Sequence, residues 1–168
     1  MNNTRIRILL FILTFVYMIA VFCFSAQNGL VSSRTSRNFI KSVIKVVVRD
    51  YENMTARQQT QLINRYHKLV RKGAHVLIYF VLGILALAIM LTYKLPLKFQ
   101  MPIAFAGAVL FAASDEIHQI FVPGRGALLS DVAIDSAGAA AGILLAATVK
   151  HIIYLAKMRY RKNSIDTK

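Results

Sequence analysis

The residues best suited to chemistry in this sequence lie in the stretch from Ser114 to Gly142. The chain has seven acidic residues, and this stretch holds four of them: Asp115, Glu116, Asp131 and Asp135. They lie at the end of one apolar run and at the start of the next. Placing an ionisable group at membrane depth costs about 3 kcal/mol or more, so such groups mark functional sites by default. We therefore look for the functional site here.

A short turn connects the two apolar runs, and it predicts how the acidic residues are brought together. Its sequence is Pro123-Gly124-Arg125-Gly126. Proline presets φ at the first corner of such a turn, and glycine permits the second corner. The two runs should therefore fold back on each other as a helical hairpin. Acidic and amide side chains then lie close together near the tip of that hairpin.

Carboxylates beside a histidine can act as general acid and base, because burial and neighbouring charges separate their pKa values. If the protein is an enzyme, Asp115, Glu116 and His118 are the candidate catalytic residues. No nucleophile motif such as G-x-S-x-G is present. We predict no metal and no cofactor, since Glu116 and His118 diverge around a helix and no H-x-x-x-H pair occurs. A purely structural network of ion pairs is the alternative to any chemistry.

The elements that position these residues are four apolar runs, each near the roughly 20 residues that cross a bilayer. The runs cover residues 8–26, 74–93, 102–121 and 128–149 of the 168, and 57% of the chain is hydrophobic. We predict an all-α fold, a four-helix transmembrane bundle that forms a single domain over residues 1–168. The alternative for the first run, a signal peptide cut after Ser25, requires an unusually long apolar core.

Alternating spans bring four chain segments to one end of the bundle. The polar residues of those segments form the predicted ligand-binding cluster, which comprises Ser25, Gln27, Lys72, His75, Asp115, Glu116, His118, Gln119, Arg125, Asp131 and Asp135. On the fourth run, Gly138 and Gly142 form a GxxxG motif, which is typical of close helix packing. Both aspartates of that run share its face and should point inward. Buried carboxylates need partners, and Lys72, His75 and Arg125 are the available cations.

The segment between the first two spans, about residues 33–70, is predicted to be helical and amphipathic. Apolar residues recur at three- and four-residue steps from Phe39 to Val48, and basic residues fall largely on the other side. Such a helix can lie among lipid headgroups, or it can pack on the bundle with a solvated basic face. A second helix is expected to begin at Thr55, because Thr55 and Gln58 fit a capping box. It can continue into the second span.

The net charge of +14 favours anionic lipid headgroups over nucleic acid, because the basic residues flank apolar runs and no soluble basic domain is present. Membrane lipids are therefore the expected partners, and no nucleic acid is expected. We predict a multi-pass protein of the bacterial cytoplasmic membrane with both termini in the cytoplasm. The basic N-terminus, Lys94, Lys98 and the basic tail follow the positive-inside rule, whereas residues 32–72 violate it.

Several motifs together resemble the VanZ-like family of small bacterial membrane proteins. They are Ser25-x-Gln27, Arg71-Lys72-x-x-His75, Asp115-Glu116-x-His118-Gln119-x-Phe121-Val122-Pro123-Gly124-Arg125 and Asp131-x-x-x-Asp135-x-x-Gly138-x-x-x-Gly142. The resemblance spans about residues 25–142. It implies a cell-envelope protein, since the namesake is linked to antibiotic resistance, at a low level, against the lipoglycopeptide teicoplanin. Asp135 stands where this family commonly has Asn, which adds a buried charge.

Three functions remain open at this point. The first is lipid binding: the polar cluster holds an amphiphilic or anionic lipid-linked ligand, such as a cell-wall lipid precursor or a lipoglycopeptide, and thereby protects the cell. The second is a membrane-embedded acid–base enzyme that acts on a lipid headgroup. The third is a transporter, which four spans without repeat symmetry favour least. Replacing Asp115 with Asn should weaken a binder partially but should slow an acid–base enzyme by orders of magnitude.

Overall fold

The computed structural model describes residues 3–166, apart from the side chains of Lys68 and of residues 164–166. It contains five α-helices and one 3₁₀ turn, Tyr51–Asn53. The helices are α1 (Asn3–Ser25), α2 (Gly29–Val47), α3 (Ala56–Met90), α4 (Leu97–Ile120) and α5 (Leu129–Asp166). No strand occurs among the described residues, so the predicted all-α fold is confirmed.

Four of these helices, α1, α3, α4 and α5, are long and apolar enough to cross a membrane. The predicted spans at 8–26 and 102–121 coincide closely with α1 and α4. The other two lie inside longer helices, because α3 begins at Ala56 and α5 continues into the basic tail. At 1.5 Å per residue, α3 is about 52 Å long and α5 about 57 Å, so each exceeds a hydrocarbon core of about 30 Å.

The α3–α5 pair forms the most extensive helix contact of the bundle. Small residues make this contact possible. A Cβ added at Gly138 would meet the backbone of Val76, and one added at Gly142 would meet the backbone of Phe80. Gly83 of α3 is equally close to the backbone of Ala139. The GxxxG face of α5 therefore lies directly against the backbone of α3.

The N-terminal half of α3 pairs with α2 to form a helical hairpin beside the bundle. Thr55 and Gln58 make the predicted capping box, with both reciprocal hydrogen bonds present. Ile40 and Ile44 of α2 are buried together with Tyr51. One stripe of α2 thus packs on the 3₁₀ turn and on the N-terminal half of α3. The next stripe, which includes Phe39, is exposed.

At the end of the bundle formed by the start of α1 and the α3–α4 link, polar groups bind protein partners. The Arg7 guanidinium donates to the hydroxyl and to the carbonyl of Thr92, both at 3.0 Å. It also lies over the Tyr93 ring, 4.0 Å from the centroid. Gln100, which is 1% exposed, donates from Nε2 to the carbonyls of Met90 and Tyr93. We call this the closed end.

Candidate functional site

At the opposite end of the bundle, α1, α2, α3, α4 and the α4–α5 turn enclose a cavity of about 500 Å³. We call it the interhelical cavity. Its lining mixes apolar side chains with polar and charged ones. The polar and charged residues are Ser25, Gln27, Ser32, Thr35, Ser36, Arg71, His75, Tyr79, Asp115 and Arg125. The apolar lining includes Val21, Phe24, Phe39, Val70, Ala74 and Ile78.

The α4–α5 turn forms one side of this cavity, because it is hydrogen-bonded to the link between α1 and α2. The amide of Gly29 donates to the carbonyl of Pro123 at 3.0 Å. Gly124 has a φ of +76°, a conformation that glycine adopts without steric cost. Arg125 then reaches across, donating to the carbonyl of Gln27 at 3.0 Å and to the hydroxyl of Ser32 at 3.2 Å.

Arg125 was one of three cations that the sequence offered as partners for the buried carboxylates. Among the described residues, no carboxylate lies within ion-pair distance of its guanidinium. Partial burial lowers the pKa of Arg125 from its ordinary value, and the positive charge of Arg71 lowers it further. A guanidinium nevertheless stays protonated in proteins. Two cationic side chains thus line one cavity within electrostatic reach of each other.

Two of the acidic residues are almost fully buried and have only partial protein partners. Asp115 is 2% exposed, and its Oδ2 accepts a hydrogen bond from Gln119 Nε2 at 3.2 Å. Asp135 is also 2% exposed, and its Oδ1 lies 3.4 Å from Nδ1 of His75. That distance is longer than a well-formed hydrogen bond. His75 is therefore the side chain that meets the buried carboxylate of α5.

A second, smaller cavity of about 300 Å³ lies on the other side of His75. We call it the charged pocket. It is lined by Arg71, Lys72, His75, Leu128, Asp131, Ile134 and Asp135. Arg71 and His75 line both cavities, so the two spaces are neighbours. Acidic and basic groups face each other across the charged pocket without forming an ion pair other than His75–Asp135 among the described residues.

The remaining cluster residues serve other contacts. Glu116 accepts a hydrogen bond from the amide of Leu128, immediately before the start of α5, where backbone N–H groups lack helical partners. The His118 ring stacks on Phe22 of α1 with ring centroids 4.1 Å apart. Neither Glu116 nor His118 lines the interhelical cavity or the charged pocket. The three candidate acid–base residues are thus not gathered around one space.

Several buried polar atoms that belong to the wall of the interhelical cavity have no hydrogen-bond partner. They are Ser25 Oγ, Tyr79 Oη and Asp115 Oδ1. Asp115 is close enough to the Tyr79 hydroxyl to act on it through its charge and as a weak hydrogen-bond acceptor, although the two groups do not meet the geometry of a well-formed hydrogen bond. Leaving a buried donor or acceptor unpaired costs about 1–3 kcal/mol. Each of these atoms has less than 1 Å² of accessible surface, so a ligand would reach them after a movement of neighbouring side chains.

Sequence reasoning placed Ser25, Gln27, His75, Asp115 and Arg125 in the cluster, and all five line the interhelical cavity. It did not assign Arg71 or Tyr79 to the site, nor any residue of α2. Tyr79 lies one helical turn after His75, on the same face. Helical spacing alone could therefore have assigned Tyr79 to the site. The part played by α2 depends on a tertiary contact that hydropathy does not encode.

A metal ion has no evident place in this arrangement. In the part of the chain that the structure describes, no three His, Cys, Asp or Glu side chains come close enough to hold one.

Four apolar helices and a polar cluster at one end of their bundle define a multi-pass helical membrane protein. The model of the VanZ/LLP1 family matches residues 10–151. Because this match covers most of the chain, the protein belongs to that family, as the sequence motifs predicted. Neither a curated protein nor a solved structure matches the chain significantly.

Proposed function

We propose that this protein binds an amphiphile with an anionic headgroup in the interhelical cavity. The observation that carries the proposal is the lining of that cavity. It combines an apolar wall with two guanidinium groups, Arg71 and Arg125, and with buried polar atoms that lack protein partners. Ligand sites in proteins have this composition: a mostly apolar wall with a few polar groups that fix orientation.

The charged groups favour an anion as the polar part of the ligand. Arg71 and Arg125 repel each other, and an anion between them would relieve that repulsion. Arg71 makes no ion pair with another described residue. A guanidinium binds phosphate or carboxylate through two parallel hydrogen bonds. Lipid phosphates, lipid diphosphates and the carboxylates of lipoglycopeptides all offer this chemistry.

The biological role that fits such binding is protection of the cell envelope. A cell-wall lipid precursor and a lipoglycopeptide such as teicoplanin are both amphiphiles with anionic groups. Binding either one at the bilayer surface would change how the antibiotic meets its target, which gives resistance-type protection. We propose that the site faces the outside and that both termini are cytoplasmic.

Labelling of single cysteines tests this orientation. In a Cys23→Ala background, Gly126→Cys reports the end that carries the site, and Pro96→Cys reports the closed end. A membrane-impermeant maleimide applied to intact cells should label position 126 and leave position 96 unlabelled. The reverse pattern would show that the cavity opens toward the cytoplasm, and it would contradict the outward-facing site.

Variants of Arg125 test the binding itself. In Arg125→Lys the cation remains but the paired donors are lost, so we expect a folded protein with affinity for anionic amphiphiles lowered about tenfold or more. Native mass spectrometry in detergent, with phosphatidic acid, a polyprenyl diphosphate and teicoplanin added in turn, measures the binding. The minimum inhibitory concentration of teicoplanin in a host that expresses each variant measures the protection.

The matched control for this experiment is Arg7→Ala. Arg7 also donates two hydrogen bonds, but it does so at the closed end. Its loss should lower the melting temperature and leave binding of the probe unchanged. If Arg125→Lys and Arg125→Ala lost binding only in proportion to lost folded protein, Arg125 would be structural and the proposal would fail.

A specific observation favours a second candidate, a membrane-embedded acid–base enzyme acting on a lipid headgroup. His75 has Nδ1 beside Asp135 and lines both cavities. A carboxylate beside one ring nitrogen orients the imidazole so that the other nitrogen can accept a proton. Turnover of a bound lipid phosphate by the wild type, lost by orders of magnitude in His75→Gln, would favour the enzyme. Binding without turnover favours the binder.

A further inference from the structure

An apolar groove of about 240 Å³ runs between α2 and the N-terminal half of α3. We call it the hairpin groove. Its wall includes Phe39, Val43 and Val47 of α2 and Tyr66 and Val70 of α3. Every residue that lines it is apolar or aromatic. Phe39 is 61% exposed and Val47 is 75% exposed, so the α2 side of the groove offers hydrocarbon surface that the protein does not cover.

The hairpin groove continues into the interhelical cavity. Phe39 and Val70 line both spaces, so these two side chains form the boundary between them. Arg71 follows Val70 directly and lines the interhelical cavity and the charged pocket. The hairpin groove and the interhelical cavity therefore follow one another along α3, and the charged pocket lies beside the cavity over the same turns of the helix. The wall changes from apolar in the groove to mixed in the cavity.

This order of polarity matches the order of groups in an amphiphile. From the hairpin groove to the interhelical cavity, a ligand would present first a hydrocarbon chain and then an anionic headgroup. From Phe39 to Val47, the wall on α2 extends for about 12 Å, which is long enough for part of an acyl or polyprenyl chain. The basic side chains around the hairpin, among them Arg37 and Lys41, suit the neighbourhood of an anionic headgroup.

We propose that the hydrocarbon chain of the bound amphiphile lies in the hairpin groove while its headgroup lies between Arg71 and Arg125. This inference rests on the proposed function and adds the position of the chain. The α2–α3 hairpin then covers the part of the chain next to the headgroup, which leaves the bilayer when the headgroup enters the bundle. Phe39 then lies at the boundary between the space for the hydrocarbon chain and the space for the headgroup.

The sequence contains no tryptophan, so a single introduced Trp is a unique fluorescent reporter. Val47→Trp and Tyr66→Trp place it in the hairpin groove. Phe15→Trp, on an exposed face of α1, is the matched control that reports bulk lipid. Each variant is placed in phosphatidylcholine nanodiscs that contain a small mole fraction of phosphatidic acid brominated on its acyl chains, because bromine quenches Trp at close range.

We expect stronger quenching at both groove reporters than at Phe15→Trp. An excess of unbrominated phosphatidic acid should reverse this additional quenching, and so should Arg125→Ala. If native mass spectrometry detects bound phosphatidic acid but the groove reporters are quenched no more than the control, the chain lies elsewhere. That result overturns this inference and leaves the proposed function standing. Absence of any phosphatidic acid binding overturns both.

Chain length provides a second, independent measurement. Val43→Asn should lower the affinity for dioleoyl phosphatidic acid about fivefold to tenfold, since apolar contacts with the chain are lost. Its affinity for dihexanoyl phosphatidic acid, which has the same headgroup, should stay within about twofold of the wild type. Equal losses for the two probes would show that Val43 acts on the fold or on the headgroup, and would overturn the position assigned to the chain.

Discussion

The two ends of the helical bundle differ in how many of their buried polar atoms are paired within the protein. At the closed end, the Arg7 guanidinium makes two hydrogen bonds to Thr92 and stacks on Tyr93. Buried Gln100 donates twice, to the carbonyls of Met90 and Tyr93, and its Oε1 is the unpaired atom at this end among the described residues. These bonds fasten the start of α1 and the start of α4 to that link. Polar chemistry there stabilises the junctions between helices.

At the other end, which we call the open end, buried polar groups are paired only in part. Asp115 has one oxygen bonded to Gln119 and the other unpaired, and the Tyr79 hydroxyl is unpaired as well. Arg125 binds a carbonyl and a hydroxyl, as Arg7 does at the closed end, so the contrast lies in the buried unpaired atoms and not in the two guanidinium groups. Buried polar groups without protein partners carry a desolvation cost, and a ligand that hydrogen-bonds to them would remove that cost. The contrast between the ends therefore supports a structural role for one and a binding role for the other.

The largest expected effect concerns the helix pair that carries both ends. Gly142→Leu and Gly138→Leu insert a side chain where the backbone of α3 already lies. Overpacking of this kind costs about 3 kcal/mol, which lowers the ratio of folded to unfolded protein roughly a hundredfold. Quantitative immunoblotting of membrane fractions should show severe loss of both variants.

Gly107→Leu is the control for this prediction, because nothing lies within 4 Å of a Cβ added at Gly107. It should accumulate as the wild type does. Equal accumulation of all three variants would mean that the α3–α5 contact can open without loss of the fold. The α3–α5 contact would then not hold the two ends of the bundle in fixed positions, and the comparison between them would lose its structural basis.

A smaller effect is expected from Gln100→Leu at the closed end. The substitution removes two donated hydrogen bonds and leaves the carbonyls of Met90 and Tyr93 without this partner. Buried groups that lose a partner cost about 1–3 kcal/mol, so the melting temperature in detergent should fall by several degrees. Binding of phosphatidic acid should be unchanged at temperatures where the variant is folded. A normal melting temperature would contradict the structural role of the closed end.

Much of this fold could be predicted from the sequence, because hydropathy and local signals are encoded residue by residue. The four spans follow from apolar runs, and the capping box at Thr55 follows from two side chains three residues apart. The Asp115–Gln119 bond follows from helical spacing. Convergence of the polar residues follows from the antiparallel order of the spans. Each of these inferences needs only the period of a helix and the thickness of a bilayer.

What the sequence did not predict depends on contacts between distant segments. The Gly29–Pro123 hydrogen bond brings α2 against the α4–α5 turn. No sequence pattern in either segment predicts this contact. That contact brings Arg125 to neutral partners, the carbonyl of Gln27 and the hydroxyl of Ser32. It also adds Ser32 and Phe39 to the wall of the cavity. The capping box at Thr55 had indicated that α3 begins well before its span. The continuation of α5 into the basic tail was not predicted, because hydropathy marks where a span ends but not where its helix ends.

The smallest expected effect on stability is that of Tyr79→Phe, and it provides the sharpest test of the open end. The Tyr79 side chain is 1% exposed, so by size and burial it resembles any core residue. Its hydroxyl, however, makes no well-formed hydrogen bond to any described residue, and Asp115 is its nearby weak acceptor. Removing an unpaired buried hydroxyl takes away a desolvation cost rather than a bond. The melting temperature of Tyr79→Phe should therefore equal or slightly exceed that of the wild type.

Ligand binding should respond in the opposite direction. If the Tyr79 hydroxyl is reserved for a ligand, Tyr79→Phe should weaken binding of phosphatidic acid by about threefold to tenfold, the value of one hydrogen bond of about 1 kcal/mol. Stability that is kept or raised while affinity falls distinguishes a binding group from a packing group, since a packing group would lose both. A lowered melting temperature with unchanged affinity would place Tyr79 with Gln100 among the structural residues, and the contrast between the two ends would no longer hold at this position.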